Sequence, residues 1–182
     1  MKKKVLILGA SSDIGSEVIN QYLINNYIVF AHYNKIKPKI KSKNLHLVNC
    51  NFESEKMFNS FFKKIKKNNF ECMVNLIGYI DNKSIEKTNF KSMFKSLKVN
   101  FIFPCLLANE VSKKMKKNNF GRILQCSSVG VKFGGGINTY TYSLSKHSLE
   151  FIPNYYKNIS KHNVLYNVLR IGVTKTKIHD KI

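Results

Sequence analysis

Apolar and polar positions come in blocks whose lengths and periods take turns along the chain. KVLILG at 4–9 is a continuous apolar run of strand length, and SDIGSEVINQYLINN at 12–26 follows it with Ile14, Val18, Ile19, Tyr22 and Leu23 on one helical side. IVFAHY at 28–33 and LHLVN at 45–49 read as strands, separated by the basic segment NKIKPKIKSKN. The pattern then predicts a helix over 53–67, a strand at 71–78 (ECMVNLIG) and a long helix from about 89 to 117. A strand at 122–130 (RILQCSSVG), a helix from about 139 to 160 and a strand at 163–171 (NVLYNVLRI) complete it. Six apolar strands interleaved with helices predict an α/β fold, a mostly parallel sheet with helices on both faces. The lysines of FFKKIKKNNF and VSKKMKKNNF close two of these helices, where positive charge suits the helix dipole.

Composition adds little to this picture. With 182 residues and 43% hydrophobic content, the chain can bury one core, which suggests a single domain over residues 1–182. Its net charge of +21 would ordinarily raise a polyanionic partner. Of 31 basic residues, however, only Arg122 and Arg170 are arginine, so the planar forks suited to bases and phosphates are nearly absent. Solvated surface is the better reading of the charge, and nucleic acid is not the expected partner. Cys50, Cys72, Cys105 and Cys126 form no C-x-x-C pair and read as buried free thiols in a reducing compartment. The basic start runs at once into polar SSDIG, and no apolar run approaches membrane-spanning length, so a cytoplasmic location without membrane contact is expected. No metal site is expected.

GASSDIG sits where the first strand gives way to the first helix. Gly9 falls at the tight turn and Gly15 where helix and sheet approach closely, a Rossmann-type setting for a pyrophosphate on the free N–H groups of the helix. Downstream, YTYSLSK at 140–146 opens a helix. Tyr142 and Lys146 stand four positions apart on one face, whereas Tyr140 points elsewhere. Tyrosine and lysine on a half-exposed helix of a lysine-rich protein is the bland alternative.

At these residues the chain resembles the short-chain dehydrogenase/reductase family. Against the family's T-G-x-x-x-G-x-G turn it has Leu8 for the threonine, Gly9, Asp13 for the middle glycine, and Gly15, with Asp13 able to cap the helix. The resemblance implies cofactor contacts from Gly9, Ser11, Ser12, Asp13, Ile14 and Gly15. It implies further contacts from Asn34 and Lys35 after the second strand, Asn51 and Phe52 after the third, and Asn75 and Gly78 of NLIG after the fourth. Where NAD-dependent members carry an acid, this chain has HYNK, so NADP(H) is the expected cofactor, with NAD the alternative. Gly172 and Thr176, in RIGVTKTKI, match the segment that meets the nicotinamide, although the family's P-G is here Ile171-Gly172.

The catalytic set implied by the family is Asn100, Ser128, Tyr142 and Lys146. Tyr142 would pass a proton to or from the substrate oxygen, Ser128 would hold that oxygen, and Asn100 would hold a water relaying protons from Lys146. Lys146 would lower the phenol's pKa from its reference near 10 and bind the nicotinamide ribose. Ser127 should face the other side of its strand. Ser128 stands fourteen residues before Tyr142 and twelve before Tyr140; only Tyr142 completes Y-x-x-x-K. Pro153 should cost the helix after 139 a hydrogen bond and bend it. Relatives usually continue past the sixth strand with substrate-covering helices and a seventh strand, so six strands are expected here, the last an exposed edge, and the C-terminal part of the family fold is expected to be missing. Together these features imply an NAD(P)-dependent oxidoreductase interconverting a carbonyl and a secondary alcohol, as a homo-oligomer, on a small molecule such as a sugar derivative. A non-catalytic or regulatory dinucleotide-binding protein is the alternative.

Overall fold

The structure, a computed structural model, describes residues 2–175, which leaves Thr176 outside the described residues. Six strands, β1 (Lys4–Leu8), β2 (Ile28–Tyr33), β3 (Leu45–Asn49), β4 (Cys72–Asn75), β5 (Gly121–Ser128) and β6 (Val164–Ile171), pair in the order β3-β2-β1-β4-β5-β6. Every pair is parallel. Side chains of β1 alternate between two cores: Leu6 and Leu8 join Phe30, Phe58, Phe61, Phe103 and Leu107 on one face, while Val5 and Ile7 join Ile19, Val29, Ala31 and Val74 on the other. Helices on both faces cover apolar strands, as the sequence pattern predicts.

Helices α1 (Asp13–Ile24) and α2 (Glu55–Lys66) fall within the expected spans. The long helix after β4 is one continuous run with a defect: α3 (Phe90–Leu97) passes through a π-helical turn, Lys98–Ile102, into α4 (Phe103–Lys117). Pro104 accounts for the defect. It has no N–H to give the carbonyl of Asn100, and its ring would strike that carbonyl in a straight α-helix.

Two expectations need correction. Strand β4 stops at Asn75 rather than running to 78, because the Leu76 N–H still bonds Leu8 but the Ile77 N–H is taken by the Asn75 side chain at 3.1 Å. The helix expected over 139–160 is broken, not bent: α5 (Tyr140–Ser148) and α6 (Asn154–Ile159) flank the non-helical Leu149–Pro153. Proline lacks a donor for the carbonyl of Leu149 and disfavours helical geometry at Ile152, and both faults fall within one turn. Among the described residues β6 closes the sheet as an edge strand, with Leu165 and Leu169 41% and 50% exposed.

Candidate active site

Strand order reverses between β1 and β4, so a crevice opens beyond the carboxyl ends of these strands. Gly9 (φ +76°) makes the turn out of β1, and a Cβ there would lie 2.9 Å from the backbone of Leu76 and Ile77. At Gly15 a Cβ would lie 2.8 Å from the Ala10 backbone, which is the close helix approach that the sequence called for. Ser12, not Asp13, caps α1: its Oγ accepts the Gly15 N–H at 2.9 Å and donates to the Gly9 carbonyl at 3.1 Å. Asp13 is already the first helical residue, one position too late for the extended cap conformation. Ser11 and Ile14 flank the cap, partly buried.

At the end of β2, Asn34 and Lys35 are exposed, and the Asn34 carbonyl accepts from the Asn49 side chain. After β3, Asn51 turns its Oδ1 to the Glu53 N–H at 2.9 Å. The Phe52 side chain is not at the crevice: it is buried in a ring cluster with His32, Phe58, Phe61 and Phe103, leaving only its backbone for a ligand. The same holds for Asn75, whose amide is spent on Gln125 (2.7 Å) and Ile77. Gly78 is exposed, and so is Gly172, where a Cβ would meet nothing within 4 Å; no steric demand for glycine exists there.

Ser128, Tyr142, Lys146 and Asn100 do come together, at the carboxyl ends of β4 and β5. Lys146 is 3% exposed and its Nζ donates to the carbonyls of Ile77 (2.5 Å) and Cys126 (2.7 Å). Burial pulls its pKa down to about 8, so it is still a cation at neutral pH. It lies 5.8 Å from the centre of the Tyr142 ring. Burial also raises the Tyr142 phenol above its usual value, with the hydrogen bond to Ser128 pulling the other way. Burial thus sets a direction opposite to the expected depression, and two of the three N–H donors of the Lys146 ammonium are engaged on the carbonyls of Ile77 and Cys126. Gly134 (φ +73°) and Gly135 (φ +84°) turn the chain between Ser128 and α5, where glycine accepts the left-handed conformation without strain.

Asn100 is fully buried in the π turn. Its Oδ1 accepts the Tyr79 N–H (2.7 Å), and its Nδ2 donates to the Tyr79 carbonyl and to Ser145 Oγ (2.9 Å each). The side chain thus clamps the loop after β4 to α5. Ser127 does not turn away from the site's helix: its Oγ meets the Lys146 carbonyl (3.2 Å) and Glu150 (2.8 Å), at the other end of α5 from Ser128's partner. Hydrogen bonds from Arg170, foremost, hold the Glu150 carboxyl down to about 2, so this cluster ties α5 to β6. The four thiols are free, and burial pushes Cys50 and Cys105 up to about 12. Among the described residues no group of His, Cys, Asp and Glu is placed to hold a metal ion, and no helix is long and apolar enough to cross a membrane.

Motif matching passed over His32, Ile77 and Tyr79. Ile77 and Tyr79 act through their backbones, which no residue type announces. His32 carried a signal, an imidazole in an otherwise apolar strand. It is buried with Nδ1 accepting from Gly9 N–H (3.2 Å) and Nε2 donating to the Cys50 carbonyl (2.9 Å), and burial lowers its pKa to about 4. A base depressed on folding takes its proton first in the unfolded chain. Its stabilisation is complete above about pH 6.5 and drains away as pH falls toward about 4, on the order of 3 kcal/mol. Urea unfolding at pH 7 and pH 4.5 should show this loss, and His32→Asn should remove it; an unchanged pH dependence in the variant would assign the loss to other groups.

The parallel sheet, its switch point and the glycine turn define a Rossmann-type α/β fold. The family model for short chain dehydrogenase matches residues 3–182, and the chain belongs to that family. It is 29% identical over 175 residues to the 3-oxoacyl-acyl-carrier-protein reductase FabG of Aquifex aeolicus, covering 94% of this chain and 64% of that protein; the chain thus spans less than two thirds of that relative's length. Among solved structures, ElxO with NADP bound superimposes with a TM-score of 0.78 at 22% identity, covering 100% of this chain and 77% of that one. A short chain dehydrogenase from Leptospira borgpetersenii with bound NAD+ gives 0.81 at 19% identity, covering 94% and 71%.

Proposed function

We propose that residues 1–182 form a dinucleotide-binding oxidoreductase domain that interconverts a carbonyl and a secondary alcohol. The observation that carries this reading is the convergence of Ser128, Tyr142 and buried Lys146 beside the Gly9 turn. The pieces fit a dinucleotide: the start of α1 faces the crevice, and Lys35 stands exposed at the end of a β2 that carries no acid. Bound there, the nicotinamide supplies or accepts the hydride. Tyr142 gives the substrate oxygen its proton in reduction, Ser128 holds that oxygen, and Lys146 presents positive charge to both the phenol and the ribose. Asn100 sets Ser145 and Tyr79 in place, and its own carbonyl, which Pro104 cannot serve, is the group for a relay water.

Lys35 and the absent acid favour NADP(H) over NAD(H). Fluorescence titration at fixed ionic strength should give NADPH the tighter binding by about tenfold, or 1.4 kcal/mol; an equal preference for NADH would reverse this choice. The substrate proposed from sequence is a sugar derivative, while the FabG relative is named for 3-oxoacyl groups on a carrier protein. A panel containing both classes tests the reading, and cofactor binding without turnover of any member would replace it by the non-catalytic alternative. Homo-oligomerisation through the long helices and a cytoplasmic location belong to the same reading. Leu106, 42% exposed on α4, supports the first.

A further inference from the structure

His32 occupies the penultimate position of β2, and its polar atoms reach the loops that rim the crevice. The β1–β2 ladder ends at Ile7↔Ala31, so the Gly9 N–H lies past its reach and is met instead by Nδ1 of the imidazole. The carbonyl of His32 accepts the Ala10 N–H at 2.9 Å. On the far side of the ring, Nε2 donates to the Cys50 carbonyl, directly before Asn51 and Phe52. Ring packing on Phe52 (4.4 Å between centroids) and Phe61 (5.4 Å) leaves the imidazole one orientation. Since Gly9 offers only a donor and Cys50 only an acceptor, the tautomer is fixed with the proton on Nε2. Gly9 in turn lies against the Leu76–Ile77 backbone. One side chain therefore sets the turn after β1 relative to the loops after β3 and β4.

We propose that His32 is a positioning residue for the dinucleotide: the acceptor at its Nδ1 orients the Gly9 peptide and, through the Ser12 cap that Gly9 shares, the start of α1 that receives the pyrophosphate. The inference rests on the reading of the crevice as a dinucleotide site. An apolar residue of equal bulk would fill the core but leave a buried N–H without a partner.

Two substitutions in the full chain separate the ring's two bonds. In His32→Asn the amide Oδ1 takes the place of Nδ1 and still accepts from Gly9. In His32→Gln the amide nitrogen takes the place of Nε2 and still reaches Cys50, but nothing accepts from Gly9. Amide hydrogen exchange at Gly9 is read without cofactor, NADPH affinity by fluorescence titration, and folding by the thermal midpoint. His32→Asn should keep Gly9 protected and bind NADPH within about threefold of the parent, whereas His32→Gln should exchange at Gly9 and bind NADPH each at least about tenfold less favourably, at a similar midpoint. Parent-like binding or Gly9 exchange in His32→Gln would overturn the proposal, as would equal losses in both variants. Collapse of the midpoint in both would make His32 a packing residue and overturn it too. Failure of the dinucleotide reading shows separately, as a parent protein that binds neither NADPH nor NADH.

Discussion

Tyr142→Phe is expected to lower carbonyl reduction by roughly a hundred- to ten-thousand-fold, the usual worth of a positioned proton donor, while leaving NADPH affinity within about threefold. The phenyl ring keeps the packing of a partly buried side chain and deletes the hydroxyl that bonds Ser128. Tyr140→Phe, two residues earlier on α5, should be mild, because its side chain leaves the helix on another face from Lys146. Turnover and cofactor affinity have to be measured separately, since folding damage lowers both. A Tyr142→Phe protein that kept most of its turnover, beside a dead Tyr140→Phe protein, would move the proton donor to Tyr140.

Lys146→Met is the second large effect. Methionine fills much of the lysine's volume, so the change removes the ammonium from the carbonyls of Ile77 and Cys126 without opening a cavity. Each orphaned carbonyl costs about 1–3 kcal/mol of stability, a loss that a role confined to the cofactor would not produce. NADPH affinity should fall about tenfold or more with the ribose contact, and turnover by a further hundredfold or more. Urea unfolding, cofactor titration and saturated turnover give the three quantities. Unchanged stability would show that the two carbonyls find other partners, and unchanged affinity would confine Lys146 to the proton step.

Much of this was legible in the sequence, and the reasons differ from element to element. Strands β2 and β3 have the bounds that apolar runs and their polar borders predict: β2 because a buried parallel strand shows in composition, and the edge strand β3 because Leu45 and Leu47 alternate with exposed His46. The parallel sheet, the glycine turn and the Y-x-x-x-K pair followed from local rules. Side-chain partners did not. Motif position places Phe52 and Asn75 beside a cofactor, yet the ring of one is needed in the core and the amide of the other is needed by Gln125 and Ile77. Pro153 was visible, but the full break needed the added restriction on Ile152 to be weighed with it. Pro104 was also in plain view, four residues after Asn100, and counting back from it would have located the π turn.

The non-sequential strand order also bears on synthesis. As the chain leaves the ribosome, β1 can pair with β2, and β2 with β3, but the second side of β1 has no partner until Cys72–Asn75 has been made. Through that interval Val5–Leu8 presents a bare, wholly apolar strand margin, the kind that recruits other nascent chains. Lys2, Lys3 and Lys4 stand directly in front of it. Three adjacent positive charges repel a second copy arriving in register, so residues that add nothing to the finished crevice guard the strand on which that crevice is built.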